Sequence, residues 1–290
     1  MTAVDGQMSS AAVPVAPPPD AFRFGRNWQH YVANYLDPER ERIAAASLEQ
    51  LVGELRGRTF VDIGCGSGLF SLCAHRAGAG TVISIDVDRD AVAATRALHA
   101  RAGSPANWTV MQRSILDPEL LEELPRADVV YSWGVLHHTG DMYTAIRNAS
   151  ELVKPGGCFA IAIYNRVTGR WLSSRRWWQI KRAYNHSSRP QQALMEWAFA
   201  SYWFLGRLKN RQNPISIAHE YRQSRGMALW TDLVDWLGGY PYEFATVSEI
   251  TRFCSDTCGL VCTTVLPEPD HGTGNNQFVF RRQPSLEAGD

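Results

Sequence analysis

The chain has 290 residues, 45% hydrophobic and 20% charged, with 29 Lys and Arg balancing 29 Asp and Glu. It is long enough to bury a sizeable core, and its neutral total gives no global reason to bind nucleic acid. No stretch is apolar for the ~18 residues of a membrane span, and MTAVDGQMSSAAVPVAPPPD lacks the basic and continuous apolar regions of a secretory signal, so a cytoplasmic protein is expected.

Residues 1–20 are rich in Ala, Pro and Ser and are expected to form a disordered tail. From Pro38 to Leu55, apolar residues recur at helical spacing (Ile43, Ala46, Leu48, Leu51, Val52, Leu55), with Gly57 closing the pattern. Strands and helices then alternate. TFVDI is a strand before a helix from Leu69 to Ala77, and TVISID is a strand before a helix over Ala91–Ala102. WTVMQR, ADVVYSW and CFAIAIY are further β-branched or aromatic runs, with a helix across Tyr143–Leu152 before the last. Such alternation predicts parallel strands joined by crossover helices, a doubly wound Rossmann-like α/β sheet. The pattern stops at Asn165, and residues 166–245 form an insertion without strand periodicity. A helix over Val247–Cys258 and two strands, LVCTTVL and NQFVFRR, then complete seven strands, the last two pairing antiparallel at one edge.

The domain reading is a core over 21–165 with an N-terminal helical segment, a helical cap over 166–245, the end of the core sheet over 246–283 and a tail over 284–290. Six cysteines (Cys65, Cys73, Cys158, Cys254, Cys258, Cys262) lack the paired spacing and fourth ligand of a zinc site. They are expected to be reduced, with no metal.

In a doubly wound sheet, ligands bind at the carboxyl ends of the strands, beside the first strand-to-helix turn. That turn is VDIGCGSG, with Gly64, Gly66 and Gly68. A dinucleotide fingerprint, G-x-G-x-x-G, needs its third glycine one residue later, where this chain has Leu69. The spacing D-x-G-x-G-x-G from Asp62 instead resembles motif I of the class I S-adenosylmethionine-dependent methyltransferases. Four further segments resemble that family in order and spacing: Asp86 ending TVISID, QRSILD after the third strand, DVVYSWGVLHHT at the fourth, and LVKPGG before the fifth.

The resemblance covers about residues 40–165 closely and the final strands more loosely. It implies S-adenosylmethionine as cofactor, with Asp62 as candidate partner of its ammonium and Asp86 accepting from both ribose hydroxyls. Ser114 and Ile115, with Asp117 as a further candidate, would surround the adenine. Cys65, Val87 and Trp133 would line the same site, and Trp28, with Asn27, would close over it. FRFGRNW, YSWGVLHHT, GGYPYE and NNQFVFRR look like a narrower group of bacterial small-molecule methyltransferases. Where that group tends to read Asn-Glu-Phe, this chain has Asn276-Gln277-Phe278, so no role for that acid carries over.

Methyl transfer needs an aligned acceptor and, where the acceptor must lose a proton, a base. His137 and His138 leave the fourth strand at the cofactor edge and are the candidates, against a packing role under the cofactor. Tyr164 and Asn165 end the fifth strand on the same edge and are expected to touch the acceptor.

The insertion hides a local charge. From Arg166 to Arg225 there are twelve basic residues against Glu196 and Glu220, interleaved with Trp171, Trp177, Trp178, Trp197, Trp203, Tyr184 and Tyr202. Arg175, Arg176, Tyr184 and Tyr221 are taken as candidate substrate contacts for an acidic or phosphorylated, partly apolar small molecule. Association with a membrane surface or nucleic acid and a merely structural cap are the alternatives, nucleic acid being disfavoured by the neutral total. The motifs report cofactor binding, which leaves two rivals to methyl transfer: an enzyme that cyclises the cofactor itself, and a non-catalytic binding protein.

Overall fold

The computed structural model describes residues 22–169, 173–209, 213, 229–268 and 274–284. Tyr221, the tail expected over 1–20 and all but the first residue of that expected over 284–290 lie outside this set.

Two helices, α1 (Gly25–Asn34) and α2 (Pro38–Val52), precede β1 (Thr59–Ile63). There follow α3 (Leu69–Arg76), β2 (Thr81–Asp86), α4 (Arg89–Arg101), β3 (Trp108–Gln112), α5 (Pro118–Glu123) and β4 (Ala127–Trp133). A 3-10 turn (Leu136–His138) leads into α6 (Met142–Glu151) and β5 (Val153–Tyr164). After the cap helices α7 (Ser174–Asn185), α8 (Arg189–Lys209) and α9 (Leu229–Gly238), the chain closes with α10 (Val247–Asp256), β6 (Leu260–Leu266) and β7 (Asn275–Arg282).

The seven strands form one sheet in the order β3-β2-β1-β4-β5-β7-β6, parallel except that β7 runs antiparallel to both neighbours. This is the Rossmann-like architecture expected. The order reverses between β1 and β4, which sets the glycine turn after β1 at the switch point. Alternate residues of each strand face opposite layers. Phe60, Val82, Val129 and Tyr131 join Leu48, Leu72 and Leu98 of α2, α3 and α4 on one side. Val61, Ile63, Val130 and Phe159 join Leu120, Ile146 and Ile250 of α5, α6 and α10 on the other.

Local signals fix most boundaries. Helix α2 starts at Pro38 behind Asp37, whose carboxylate accepts from the Arg40 amide. It ends at Val52 rather than Leu55, because Gly53 takes φ +79 and turns the chain out of the helix. Strand β5 begins five residues before CFAIAIY: Val153 pairs with Ala127, and the register then shifts before Cys158 pairs with Val129. The six-residue α5 is too short to show a helical period and was not expected.

The inserted segment leaves and returns at one place. Asn165 and Ala245 form a parallel bridge; the Ala245 amide donates to the Tyr164 carbonyl at 3.0 Å and the Arg166 amide to the Ala245 carbonyl at 3.1 Å. All six cysteines are free thiols. Among the described residues, no helix is long and apolar enough to cross a membrane.

Candidate functional site

The turn after β1 is built around glycine. Gly64, Gly66 and Gly68 all have positive φ, +72, +53 and +79. The amides of Gly64 and Cys65 donate to the Ile85 carbonyl at 2.7 and 3.0 Å, drawing the turn onto β2. A Cβ on Gly64 would stand 2.3 Å from Val135 Cγ1, so β4's exit loop excludes any side chain there. Gly66 faces the other way, and a Cβ on it would stand 3.1 Å from the indole nitrogen of Trp28. Cys65 is turned inward, its Sγ 3.3 Å from Thr95 Oγ1, which donates to the Gly66 carbonyl at 3.1 Å.

Asp86 completes this turn. Its Oδ2 accepts from the Gly66 amide at 3.0 Å and its Oδ1 from the Asp88 amide at 2.9 Å, with a further bond from the Val87 backbone, which leaves the carboxylate a lone pair for another donor. Burial raises its pKa to about 6, against the lowering effect of these hydrogen bonds. Capping of α4 falls to Asp88, which accepts from the Asp90 amide at 2.8 Å and from the Gly25 amide at 3.0 Å. Asp86 is thus free of the helix-capping role that would otherwise explain it.

Asp62 lies beneath the turn at the end of a buried polar chain. Trp108 Nε1 donates to Ser84 Oγ (2.7 Å), Ser84 to Ser71 Oγ (2.6 Å) and Ser71 to Asp62 Oδ2 (2.6 Å). Burial raises the Asp62 carboxyl to about 7, only partly offset by the Ser71 hydrogen bond. One of its oxygens therefore anchors α3 under the glycine turn.

The other expected cofactor residues occupy the same edge in different ways. Ser114 Oγ accepts from the Leu116 amide at 3.2 Å, stiffening the turn after β3, and Asp117 caps α5 while pairing with Arg113 at 2.9 Å. Ile115 packs in the core, and its carbonyl accepts from Asn148. The Val87 carbonyl accepts from Gln112, and Trp133 stacks on Tyr131 at 5.5 Å. The N-terminal segment ties the core to the cap: Asn27 donates to Asp235 of α9, and the Phe22 amide donates to the Tyr240 carbonyl at 2.8 Å.

The geometry fits the cofactor that the resemblance implies. Glycine backbone lies beneath Trp28, and a carboxylate with a lone pair to spare sits at the end of β2.

Beside this edge lies a partly buried aromatic cluster. The rings of His137 and Tyr164 are 4.0 Å apart, those of His137 and His138 4.5 Å, and those of Tyr164 and Tyr242 5.2 Å. His137 is fully buried, and its Nδ1 accepts from the Tyr164 amide at 3.3 Å. Its proton therefore sits on Nε2, which is buried without a hydrogen-bond partner. His138 Nδ1 donates to the Pro241 carbonyl at 2.6 Å, leaving Nε2 to accept. Burial pushes the His137 pKa well below the usual imidazole range and that of His138 down to about 3, so both rings are neutral near pH 7. Burial also raises the Tyr164 phenol. Asn165 Oδ1 accepts from Asn276 of β7 at 3.1 Å, joining the cap's root to the sheet.

The cap presents a different face from the one its charge suggested. On α7 the inward residues are Ser174, Trp177, Lys181 and Tyr184, at helical spacing. Arg175 and Arg176 are exposed on the opposite side, and Tyr184 donates to Glu196 of α8 at 2.6 Å, bracing two cap helices. Trp236 of α9 packs at 4.4 Å against Trp177 and 4.9 Å against Phe199. Lys181, Trp236 and Tyr242 escaped the sequence reading. The available signal was a lysine in the apolar stripe Trp177-x3-Lys181-x2-Tyr184.

A Rossmann-like sheet with a glycine turn and an acid ending β2 has the form of a nucleoside-binding α/β domain. Residues 28–203, more than half of the chain, match the family described as methyltransferase domain. The chain belongs to that family and carries a methyltransferase domain of class I. It is 32% identical to the ubiquinone biosynthesis O-methyltransferase of Bordetella avium over 143 residues, 46% of this chain and 57% of that protein. With the like-named protein of Methylobacterium nodulans it shares 36% identity over 113 residues, 39% of this chain and 43% of that one. The chain thus spans about half the length of these curated relatives.

Solved structures agree on the fold. An O-methyltransferase family protein from Burkholderia thailandensis superposes with a TM-score of 0.52 at 16% identity, over 90% of this chain and 60% of that one. Magnesium protoporphyrin IX methyltransferase from Synechocystis, with S-adenosylhomocysteine bound, gives 0.51 at 14%, over 89% and 94%.

Proposed function

We propose that this enzyme methylates an oxygen of a small, flat, largely apolar metabolite seated between the glycine turn and the cap. The observation that carries this reading is the aromatic cluster His137, His138, Tyr164, Tyr242 and Trp236, packed between the carboxyl ends of β4 and β5 and the cap, with His137 and Tyr242 buried and the others half-buried. The O-methyltransferase names of the relatives support oxygen as the nucleophile. The outward arginines favour an apolar body over a phosphate.

Bound S-adenosylmethionine supplies a methyl group already activated on a sulfonium. The chain's task is then to hold the acceptor in line and to keep water out, and alignment of this kind is worth ~7–11 kcal/mol. Asp86 and the Gly66 backbone hold the cofactor, Trp28 covers it, and the cap rings pack against the acceptor. Nε2–H of His137 is a buried, unpartnered donor that orients an acceptor oxygen.

Calorimetry with S-adenosylhomocysteine is the first test, and absence of binding at millimolar ligand defeats the reading. Mass spectrometry of products from a panel of phenols and carboxylic acids is the second. Release of methylthioadenosine in place of S-adenosylhomocysteine would favour cyclisation of the cofactor instead.

A further inference from the structure

The chain uses arginine almost everywhere it needs a cation: its 29 basic residues include only Lys154, Lys181 and Lys209. Lys154 pairs with Asp128 at the surface and Lys209 is exposed. Lys181 is 0% exposed. A guanidinium does not give up its proton in a protein, whereas a buried lysine readily becomes a neutral amine. A lone lysine in the core of an arginine-rich cap is therefore a chemically specific choice.

Its surroundings carry the argument further. Nζ donates to the Trp236 carbonyl and lies 4.0 Å from the centre of the Trp236 ring, 4.8 Å from that of Tyr242 and 5.9 Å from that of Tyr164. Tyr164 ends β5 on the edge where the glycine turn opens, so the amine sits at the inner wall of the cap. Among the described residues no carboxylate is within ion-pair distance of it. Asp235 of α9 accepts from Asn27, and Glu196 of α8 accepts from Tyr184. The other titratable groups nearby, His137 and His138 from the 3-10 turn and Tyr164 and Tyr242, are neutral. His137 spends its acceptor nitrogen on the Tyr164 amide, which leaves that ring no lone pair for a base.

We infer that Lys181 is the base that removes the proton from the acceptor's hydroxyl, and that this hydroxyl is phenolic. The inference rests on the methyl-transfer reading above. The O–H bond breaks and its proton joins the Nζ lone pair. The phenolate oxygen forms the new bond to the methyl carbon, and the S–CH3 electron pair returns to sulfur, leaving S-adenosylhomocysteine. The ammonium then loses its proton to water as product leaves. A phenol ionises near pH 10, within reach of an amine, while an aliphatic alcohol does not. The ring-lined surroundings suit the same flat body. Burial lowers the Lys181 pKa well below the ordinary ammonium range, in keeping with the role.

With three lysines, protein labelled with 13C at lysine Cε gives three signals, and Lys181→Met assigns the one in question. The expected result is a Lys181 signal that titrates at least two pH units below the other two. With S-adenosylhomocysteine present, the same signal moves on addition of millimolar catechol. Lys181→Met is expected to lower methyl transfer to catechol at least 100-fold, with affinity for S-adenosylhomocysteine within twofold of wild type, and Lys181→Arg does not restore it. If Lys181→Met fails to fold, Lys181→Gln serves for both assignment and rate. A Lys181 that titrates with the other lysines, or a signal unmoved by catechol, overturns the inference. So does a variant as fast as wild type. Failure of the wild-type protein to bind S-adenosylhomocysteine would instead defeat the broader reading.

Discussion

The indole nitrogen of Trp28 lies 3.1 Å from the point where a side chain on Gly66 would begin. Helix α1 is thereby held down on the glycine turn. Gly66→Ala must displace Trp28 and also hold an alanine at φ +53, a strain on the order of 1–3 kcal/mol. We expect a lower Tm and at least a tenfold weaker affinity for S-adenosylhomocysteine. An alanine variant that binds normally would show that the cofactor does not use this backbone.

Asp86 keeps a lone pair beyond its bonds to the Gly66, Val87 and Asp88 backbone. Asp86→Ala removes a charged acceptor worth ~1.5–3 kcal/mol, so affinity for S-adenosylhomocysteine should fall by roughly 10- to 100-fold in calorimetry. Because the carboxyl titrates at about 6, wild-type affinity should weaken as pH falls from 7.5 to 5. That dependence should be absent in Asp86→Asn.

Asp62 carries a stability signature of its own. Its folded pKa, about 7, stands above the value of an exposed aspartate. The folded state therefore holds the proton more tightly than the unfolded chain. The stability this confers is full below pH ~4 and is lost as pH rises through 7. Asp62→Asn has no such proton to lose, so the stability of wild type minus that of the variant should decline by on the order of 2–4 kcal/mol between pH 4 and pH 8. Urea unfolding of both proteins at the two pH values measures it.

Thr246 and Glu249 form a reciprocal capping box at the start of α10: Thr246 Oγ1 accepts from the Glu249 amide at 3.2 Å and Glu249 Oε2 from the Thr246 amide at 2.8 Å. Thr246→Ala should cost ~1 kcal/mol in chemical denaturation. It should leave affinity for S-adenosylhomocysteine unchanged, since α10 packs on the face of the sheet away from α1.

The sheet was legible because its strands are apolar runs bounded by glycine or acid, from TFVDI to NQFVFRR. The glycine turn and the acid beside it were legible too, since Gly64, Gly66, Gly68 and Asp86 are local in sequence and each has one dominant physical reason to be there. The inner face of the cap was not. Arginine-rich composition drew attention to Arg175 and Arg176, yet helical phase turns both to solvent and brings Lys181 inward. Tyr242 reaches Tyr164, and Trp236 reaches Lys181, only because the chain folds back after the cap, bringing together residues more than fifty positions apart.

The bridge between Asn165 and Ala245 brings both ends of the cap to one point on the sheet. The segment leaves the sheet and returns to it through adjoining backbone, like a cartridge held on two neighbouring pins. What lies between the pins is tied to the core a second time, through Asn27 and Phe22 beside α1, so a change in the cap is transmitted to the helix that lies on the glycine turn.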